Sequence, residues 1–138
     1  MARTEIIENG IEITYDDNGR VIHFKHSNGY ESWTEYDSNG KMIHRRDSTG
    51  FEQWWEHDEK GNPIHYTDSN GHEAWWEYDD QGNKTHYKDS HGFEQWWEYD
   101  ENGNVIHYKD SNGFEQWYDA DGELITKEEF DKLYSRSN

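Results

Sequence analysis

Glutamate and histidine, two side chains that can do chemistry, recur at fixed intervals along this sequence. A histidine returns every 21 residues, at His23, His44, His65, His86 and His107. Carboxylates and imidazoles together can transfer protons or bind a metal ion. A catalytic site, however, is one asymmetric group of residues in a pocket, whereas these residues are copied along the chain. The sequence therefore predicts no catalytic residues and a protein that is not an enzyme.

The spacing of the histidines also argues against a metal site. If each copy adds two strands to one sheet, neighbouring histidines lie two strand spacings apart, about 9.6 Å. Zinc binds imidazole nitrogens at about 2 Å, so two of these histidines cannot share an ion. The chain contains no cysteine to supply a thiolate ligand. We therefore expect no metal and no cofactor, and expect each histidine to pair with a glutamate across strands.

The elements that must position these residues are copies of one 21-residue unit. All twelve glycines fall at two turn positions per copy. The stretch Asp110–Gly113, with the sequence Asp-Ser-Asn-Gly, is typical of a type I turn closed by a left-handed glycine. Segments of strand length separate the turns. The sequence predicts an all-β fold of tandem β-hairpin repeats, arranged as an elongated meander sheet or as a β-solenoid.

The predicted boundaries follow these turns. Residues 1–9 form an N-terminal cap strand, and six repeats occupy 10–28, 29–49, 50–70, 71–91, 92–112 and 113–125. Thr126 and Glu129 match a capping box, and Phe130, Leu133 and Tyr134 form an apolar stripe at helical spacing. Residues 126–138 are therefore predicted to be a capping helix, over about 127–135, with a short tail. We expect the helix to cover the end of the repeat array.

Alternation along the strands assigns two faces. Face A, represented by Phe51, Trp55 and Tyr66, is the more apolar and is the predicted core. Face B carries one tryptophan per copy between glutamates, opposite the histidine and lysine positions of the neighbouring strands. This ladder is either cross-strand packing or a set of platforms for a partner. The predicted partner-binding residues are Glu31, Trp33, Glu35, Glu52, Trp54, Glu56, Glu73, Trp75, Glu77, Glu94, Trp96, Glu98, Glu115 and Trp117.

Charge narrows the class of partner. The chain has 31 acidic and 13 basic residues, a formal net charge of −18, which excludes direct binding to nucleic acid and favours a basic protein surface. The same charge would also keep an aromatic-rich sheet soluble. No apolar run approaches the length of a membrane span, and the first residues lack the apolar region of a signal peptide. We expect a protein of the bacterial cytoplasm, without a membrane partner.

The phrase Tyr-Asp-x-x-Gly, at Tyr36–Gly40, Tyr78–Gly82 and Tyr99–Gly103, resembles the YD repeat of Rhs-type bacterial polymorphic-toxin proteins. The resemblance covers roughly residues 10–125 and implies β-hairpin repeats. The doubled tryptophans, such as Trp54-Trp55, depart from the usual pattern of that family. The alternation of aromatic residues and turn glycines is also similar to the choline-binding and glucan-binding wall repeats.

Two functions remain open at this stage. The first is a non-catalytic acidic inhibitor that binds a basic surface of a nuclease, a CRISPR effector or a toxin, as phage anti-CRISPR and immunity proteins do. The second is a carbohydrate-binding or quaternary-amine-binding module that uses the tryptophan ladder. Salt separates them, because charge-led binding weakens with ionic strength and stacking on sugars does not.

Overall fold

The computed structural model describes residues 1–134, with thirteen β-strands and one short α-helix. The chain divides into two compact units, Met1–Glu73 and Ala74–Asn138. In both units, strands of four to six residues alternate with tight turns, apart from a final strand of two residues. Among the described residues, no helix is long and apolar enough to cross a membrane.

The first unit is an open antiparallel meander. Its strands are β1 (Arg3–Ile7), β2 (Ile11–Tyr15), β3 (Val21–Lys25), β4 (Glu31–Tyr36), β5 (Met42–Asp47), β6 (Glu52–His57) and β7 (Pro63–Asp68). Within this unit, strands that follow one another in the chain pair antiparallel, from β1–β2 to β6–β7. A short 3₁₀ turn, Glu8–Gly10, links the first two strands.

The second unit continues the pattern and ends in a helix. Its strands are β8 (Glu73–Tyr78, whose first residue belongs to the first unit), β9 (Lys84–Asp89), β10 (Glu94–Tyr99), β11 (Val105–Asp110), β12 (Glu115–Tyr118) and β13 (Leu124–Ile125). They also pair in chain order, and helix α1 (Lys127–Leu133) follows. The all-β prediction is confirmed, and of the two arrangements left open, each unit adopts the meander sheet.

Aspartates and left-handed glycines build the turns. In the turn at Asp100, the Asp100 carboxylate accepts hydrogen bonds from the backbone N–H groups of Asn102 and Asn104, both at 2.9 Å. Gly103 closes the turn with φ of 85°, a value that glycine adopts readily. The bond from the Asn104 N–H, in particular, lowers the pKa of Asp100, because it stabilises the ionised carboxylate. The predicted turn geometry is confirmed here.

The residues of face A are more buried than those of face B. Ser32, Ala74 and Ile106 are the buried strand residues, and all three lie on face A, as predicted. Rings pack across strands there, with the centroids of Trp55 and Tyr66 only 4.6 Å apart.

The tyrosine of the Tyr-Asp phrase adds a bond between successive hairpins on this face. The Tyr99 hydroxyl donates to the Lys84 carbonyl at 2.5 Å, and the Tyr36 hydroxyl donates to the Val21 carbonyl at 2.7 Å. Each tyrosine thereby reaches a strand of the preceding copy, and burial raises the pKa of both hydroxyls.

The capping box fixes the start of the helix. The Thr126 hydroxyl accepts from the Glu129 N–H at 3.1 Å, and the Glu129 carboxylate accepts from the Thr126 N–H at 3.2 Å. The described helix runs to Leu133 with Tyr134 as its C-cap, while the predicted end at residue 135 lies outside the described residues. Phe130 is only 1% exposed and its ring lies 5.8 Å from that of His107. The helix therefore packs on face B of the last repeats.

Candidate functional site

Four of the face B histidines, His44, His65, His86 and His107, each lie between two glutamates from the strands on either side. His44 on β5 contacts Glu35 of β4 through Nδ1 at 2.9 Å and Glu52 of β6 through Nε2 at 2.7 Å. Strand register explains this arrangement. On one side, Glu35 of β4 is directly opposite His44. On the other side, Trp54 of β6 is directly opposite His44, and Glu52 lies two residues before Trp54 on the same face. The predicted pairing of histidine with glutamate is confirmed, with a second glutamate added.

The same clamp recurs along both units. In the second unit, His86 contacts Glu77 at 3.1 Å and Glu94 at 2.9 Å. Further along, His107 contacts Glu98 at 2.8 Å and Glu115 at 2.7 Å. In the first unit, His65 lies 3.5 Å from Glu56 and 2.7 Å from Glu73. His23 has half of the clamp: it lies 3.1 Å from Glu31, and the residue opposite it on β2 is Thr14.

These carboxylates favour the protonated form of His44 and His86. Hydrogen bonds to Glu35 and then to Glu52 raise the pKa of His44 above its ordinary value. At His86, burial acts to lower the pKa, but the bonds to Glu94 and Glu77 outweigh it and the net shift is upward. As the pH falls, positive charge on His44 and His86 therefore partly compensates the negative charge of the glutamates beside them.

The same histidines stack on the tryptophans of face B. Ring centroids lie 5.4 Å apart for His23 and Trp33, and 5.6 Å apart for His44 and Trp54, with an angle of 17° between planes in both pairs. The pairs in the second unit are similar, namely His86–Trp96 at 5.5 Å and His107–Trp117 at 5.4 Å. Cross-strand packing, the simpler interpretation of the ladder, is therefore present.

A cation approaches three of these tryptophans from the next strand. Arg46 lies over the Trp33 ring at 4.3 Å, Lys88 over Trp75 at 5.8 Å, and Lys109 over Trp96 at 5.1 Å. Each cation is the direct register partner of its tryptophan. At Trp54, the register partner is Thr67.

The predicted partner-binding residues share face B, but their exposure differs. Within the first unit the structure brings together Glu31, Trp33, Glu35, Glu52, Trp54, Glu56 and Glu73, and within the second unit Trp75, Glu77, Glu94, Trp96, Glu98, Glu115 and Trp117. Glu35, Glu56 and Glu77 are the most open, with side chains 67%, 68% and 72% exposed. Trp54 and Trp75 are also exposed, at 41% and 37%. Trp117 is less open, since its histidine partner also contacts the helix.

Sequence reasoning missed the cations over the tryptophans. The signal was present, because the residue two positions after each ladder histidine reads Lys25, Arg46, Thr67, Lys88 and Lys109 in successive copies. The alternation of residues along the strand placed this position on face B. It did not show that the charged group lies over the indole ring of the tryptophan in the adjacent strand.

Among the described residues, no group of three or more histidine, cysteine or acidic side chains is placed to hold a metal ion. The ladder histidines direct their ring nitrogens to carboxylates instead, as in the His107 clamp.

Comparison with known proteins identifies the fold. No family model matches the sequence, and no curated protein matches it. Solved structures do match. The chain shares its fold with part of a Tc toxin. A TcdB2–TccC3–Cdc42 crystal structure is 18% identical with a TM-score of 0.66, and covers 86% of this chain and 7% of that chain.

A Tc holotoxin pore of Photorhabdus luminescens is a second match. It is 19% identical, with a TM-score of 0.64 over 83% of this chain and 7% of that chain. This chain therefore spans a small part of the length of the toxin proteins it matches. At such identities the likeness concerns the fold alone, and it agrees with the hairpin repeats that the Tyr-Asp phrases predict.

Proposed function

We propose that this chain is a non-catalytic, acidic interaction module that binds a basic partner protein through face B. The observation that carries the proposal is the open glutamate that recurs at one position of the repeat, at Glu35 and Glu56 in the first unit and at Glu77 in the second. Their side chains are about two-thirds exposed, and each lies two residues after a face B tryptophan in the same strand.

The two glutamate rows both contact the ladder histidines but differ in exposure. The inner row, represented by Glu52 and Glu94, is only about one-third exposed. The outer row leaves most of its carboxylate surface to solvent. Exposed charges of one sign steer an oppositely charged partner and set its register. The tryptophans add the apolar contact that binding surfaces concentrate near their centre.

The partner class follows from charge and fold. A net charge of −18 favours partners with a strongly basic surface, such as nucleases, CRISPR effectors or toxins. The shared fold with part of a Tc toxin makes a toxin the first class to test. We propose an inhibitory role of the immunity or anti-defence type in a bacterial cytoplasm, because a module without catalytic residues acts by occupying the surface that it binds.

The alternative, a sugar-binding or quaternary-amine-binding ladder, needs open indole faces. In the described part of the chain, Trp33 and Trp96 have a histidine on one neighbouring strand and a cation from the other. These contacts occupy the surfaces on which sugars would stack. Trp54 is the tryptophan that best suits the alternative, because its register partner is Thr67, no cation among residues 1–134 lies over it, and it is 41% exposed.

The test compares two variants of equal charge. One carries Glu35→Gln, Glu56→Gln and Glu77→Gln. The control carries Glu59→Gln, Glu101→Gln and Asp121→Asn at exposed turn positions. Both have a net charge of −15, from −18 + 3. Basic toxin and nuclease domains are immobilised, and association rates are measured from low to high salt.

We expect the face B variant to associate at least tenfold more slowly than wild type at low salt, and the turn variant to stay close to wild type. Equal slowing of both variants would mean that net charge alone acts and that face B is not the binding surface. Failure of wild type to bind any basic domain, or binding independent of salt, would overturn the proposal.

A further inference from the structure

The face B position directly opposite a ladder tryptophan holds a cation in three copies of the repeat and a threonine in another. Arg46, Lys88 and Lys109 each lie over the tryptophan directly opposite in the adjacent strand, at 4.3, 5.8 and 5.1 Å from the ring centroid. The electrons of the indole face attract a positive charge at these distances. The repeat thus contains an internal cation site above each of three tryptophans.

In the copy at residues 50–70, the tryptophan is present and the residue opposite it is not a cation. Trp54 stacks on His44 at 5.6 Å, as the equivalent tryptophans stack on their histidines. Its opposite neighbour is Thr67, whose short side chain carries no charge. Trp54 is 41% exposed.

The surroundings of Trp54 suit a cation from outside. Glu52 and Glu56 lie on the same strand, two residues before and after Trp54, so all three share face B. Glu52 contacts His44, and the Glu56 side chain is 68% exposed. A positive group above the Trp54 ring would therefore meet an indole face with carboxylates on both sides along the strand.

We propose that Trp54 is the receptor for an arginine side chain of the basic partner, which would fill the place that Arg46 fills above Trp33. This inference rests on the proposed function and names its central contact. The fold itself indicates the chemistry of the occupant, because the three equivalent positions carry arginine or lysine. Arginine is favoured because its planar guanidinium stacks on an aromatic face, and Arg46 makes the closest of the three contacts.

The other tryptophans of the ladder do not offer the same opening. An incoming arginine would have to displace Arg46, Lys88 or Lys109 from Trp33, Trp75 or Trp96. Trp117 is opposite Ile125, and the helix residue Phe130 packs against its histidine. A single preferred site would fix the register of a basic partner on an otherwise repetitive face.

The test uses the whole chain and a short peptide with two adjacent arginines flanked by glycine and serine. An equal peptide with citrulline in place of arginine is the uncharged control. Binding is followed by NMR through the indole N–H signals of the eight tryptophans. We expect saturable shifts of the Trp54 signal with the arginine peptide, at least tenfold weaker binding of the citrulline peptide, and small responses elsewhere.

Three substitutions make the test specific. Thr67→Arg supplies the internal cation and should abolish the Trp54 response, whereas Thr67→Val changes the same residue without adding charge and should preserve it. Lys88→Thr should open an equivalent site and add a response at Trp75. Since arginine already occupies the equivalent position at Arg46, Thr67→Arg should fold, and thermal unfolding verifies this.

A Trp54 response that persists in Thr67→Arg would overturn the inference, as would equal shifts of all the indole signals or no new response in Lys88→Thr. The outcomes also separate this inference from the proposed function. If Glu35→Gln, Glu56→Gln and Glu77→Gln slow partner binding but Thr67→Arg does not, the proposed function is supported and the arginine site at Trp54 is refuted. If the arginine peptide binds at Trp54 but no basic protein binds face B, the proposed function is refuted and the arginine site at Trp54 is supported.

Discussion

Replacing Gly103 with alanine measures the energetic contribution of one turn glycine. Gly103 has φ of 85°, and a Cβ added there would come no closer than 4.0 Å to the side chain of Asn83. Space is therefore sufficient, and the cost comes from the backbone conformation alone. A non-glycine residue in the left-handed region costs about 1–2 kcal/mol. Alanine also restricts the unfolded chain, which offsets about 0.4–1 kcal/mol.

We expect a net loss of about 1 kcal/mol in the free energy of unfolding. Unfolding entropy is about 2.1 cal/mol/K per residue, so for the 138-residue chain this corresponds to a decrease in Tm of about 3 °C. If the unit Ala74–Asn138 unfolds by itself, the decrease is about 7 °C, because half as many residues share the entropy.

Tryptophan fluorescence during heating is the assay, and Asn102→Ala is the matched control. Asn102 precedes Gly103 in the same turn, and among the described residues Asn9 is the only non-glycine residue with positive φ. Asn102→Ala should therefore change stability by less than about 0.5 kcal/mol. Gly103→Asn should fall between the two, since asparagine tolerates the left-handed region. A Tm for Gly103→Ala equal to that of Asn102→Ala would refute the assignment of strain to this position.

Three further predictions concern the ladder, the helix and the tyrosines. The raised pKa of His44 and His86 means that their stabilisation is complete below about pH 6.5 and is lost as pH rises through the raised values. Tm should therefore be higher at pH 6 than at pH 8, with a smaller difference in His44→Gln, and a rise in Tm from pH 6 to pH 8 would contradict this. Phe130→Ala should cost about 3 kcal/mol locally and remove hydrogen-exchange protection from α1, while protection in β9 and β10 remains. Tyr99→Phe should lower the stability by about 1 kcal/mol through loss of the bond to the Lys84 carbonyl, as chemical denaturation would measure, and an unchanged midpoint would argue against that bond.

Local patterns predicted the strands, the turns and the two faces, because each depends on residues close together in sequence. An Asp-x-x-Gly turn determines its own geometry, and period-two alternation places Trp54 and Trp55 on opposite faces whatever the rest of the chain does. The capping box predicted the start of α1 for the same reason, since Thr126 and Glu129 are three residues apart.

Contacts that depend on side-chain direction could not be predicted in this way. Alternation placed Glu35 opposite His44 but could not show that Glu52 also reaches the other ring nitrogen, because that contact crosses diagonally between strands. The packing of Phe130 on His107 joins residues that the sequence separates by two strands. The division after Glu73 falls within a regular copy of the repeat, where composition does not change.

Pairing between neighbouring strands has a consequence for how the chain folds. Within each unit, every strand hydrogen-bonds to the strands beside it in the chain, so native pairs form by closing turns of a few residues. Closing a short turn costs little chain entropy. Proteins with mainly local contacts therefore fold faster than β-sandwiches, in which paired strands are far apart in sequence. Because the copies are alike, any hairpin can serve as the nucleus, and growth can proceed from it toward both ends. Within each unit, an elongating chain on the ribosome could therefore add one hairpin at a time, each pairing with the edge strand of the hairpin before it.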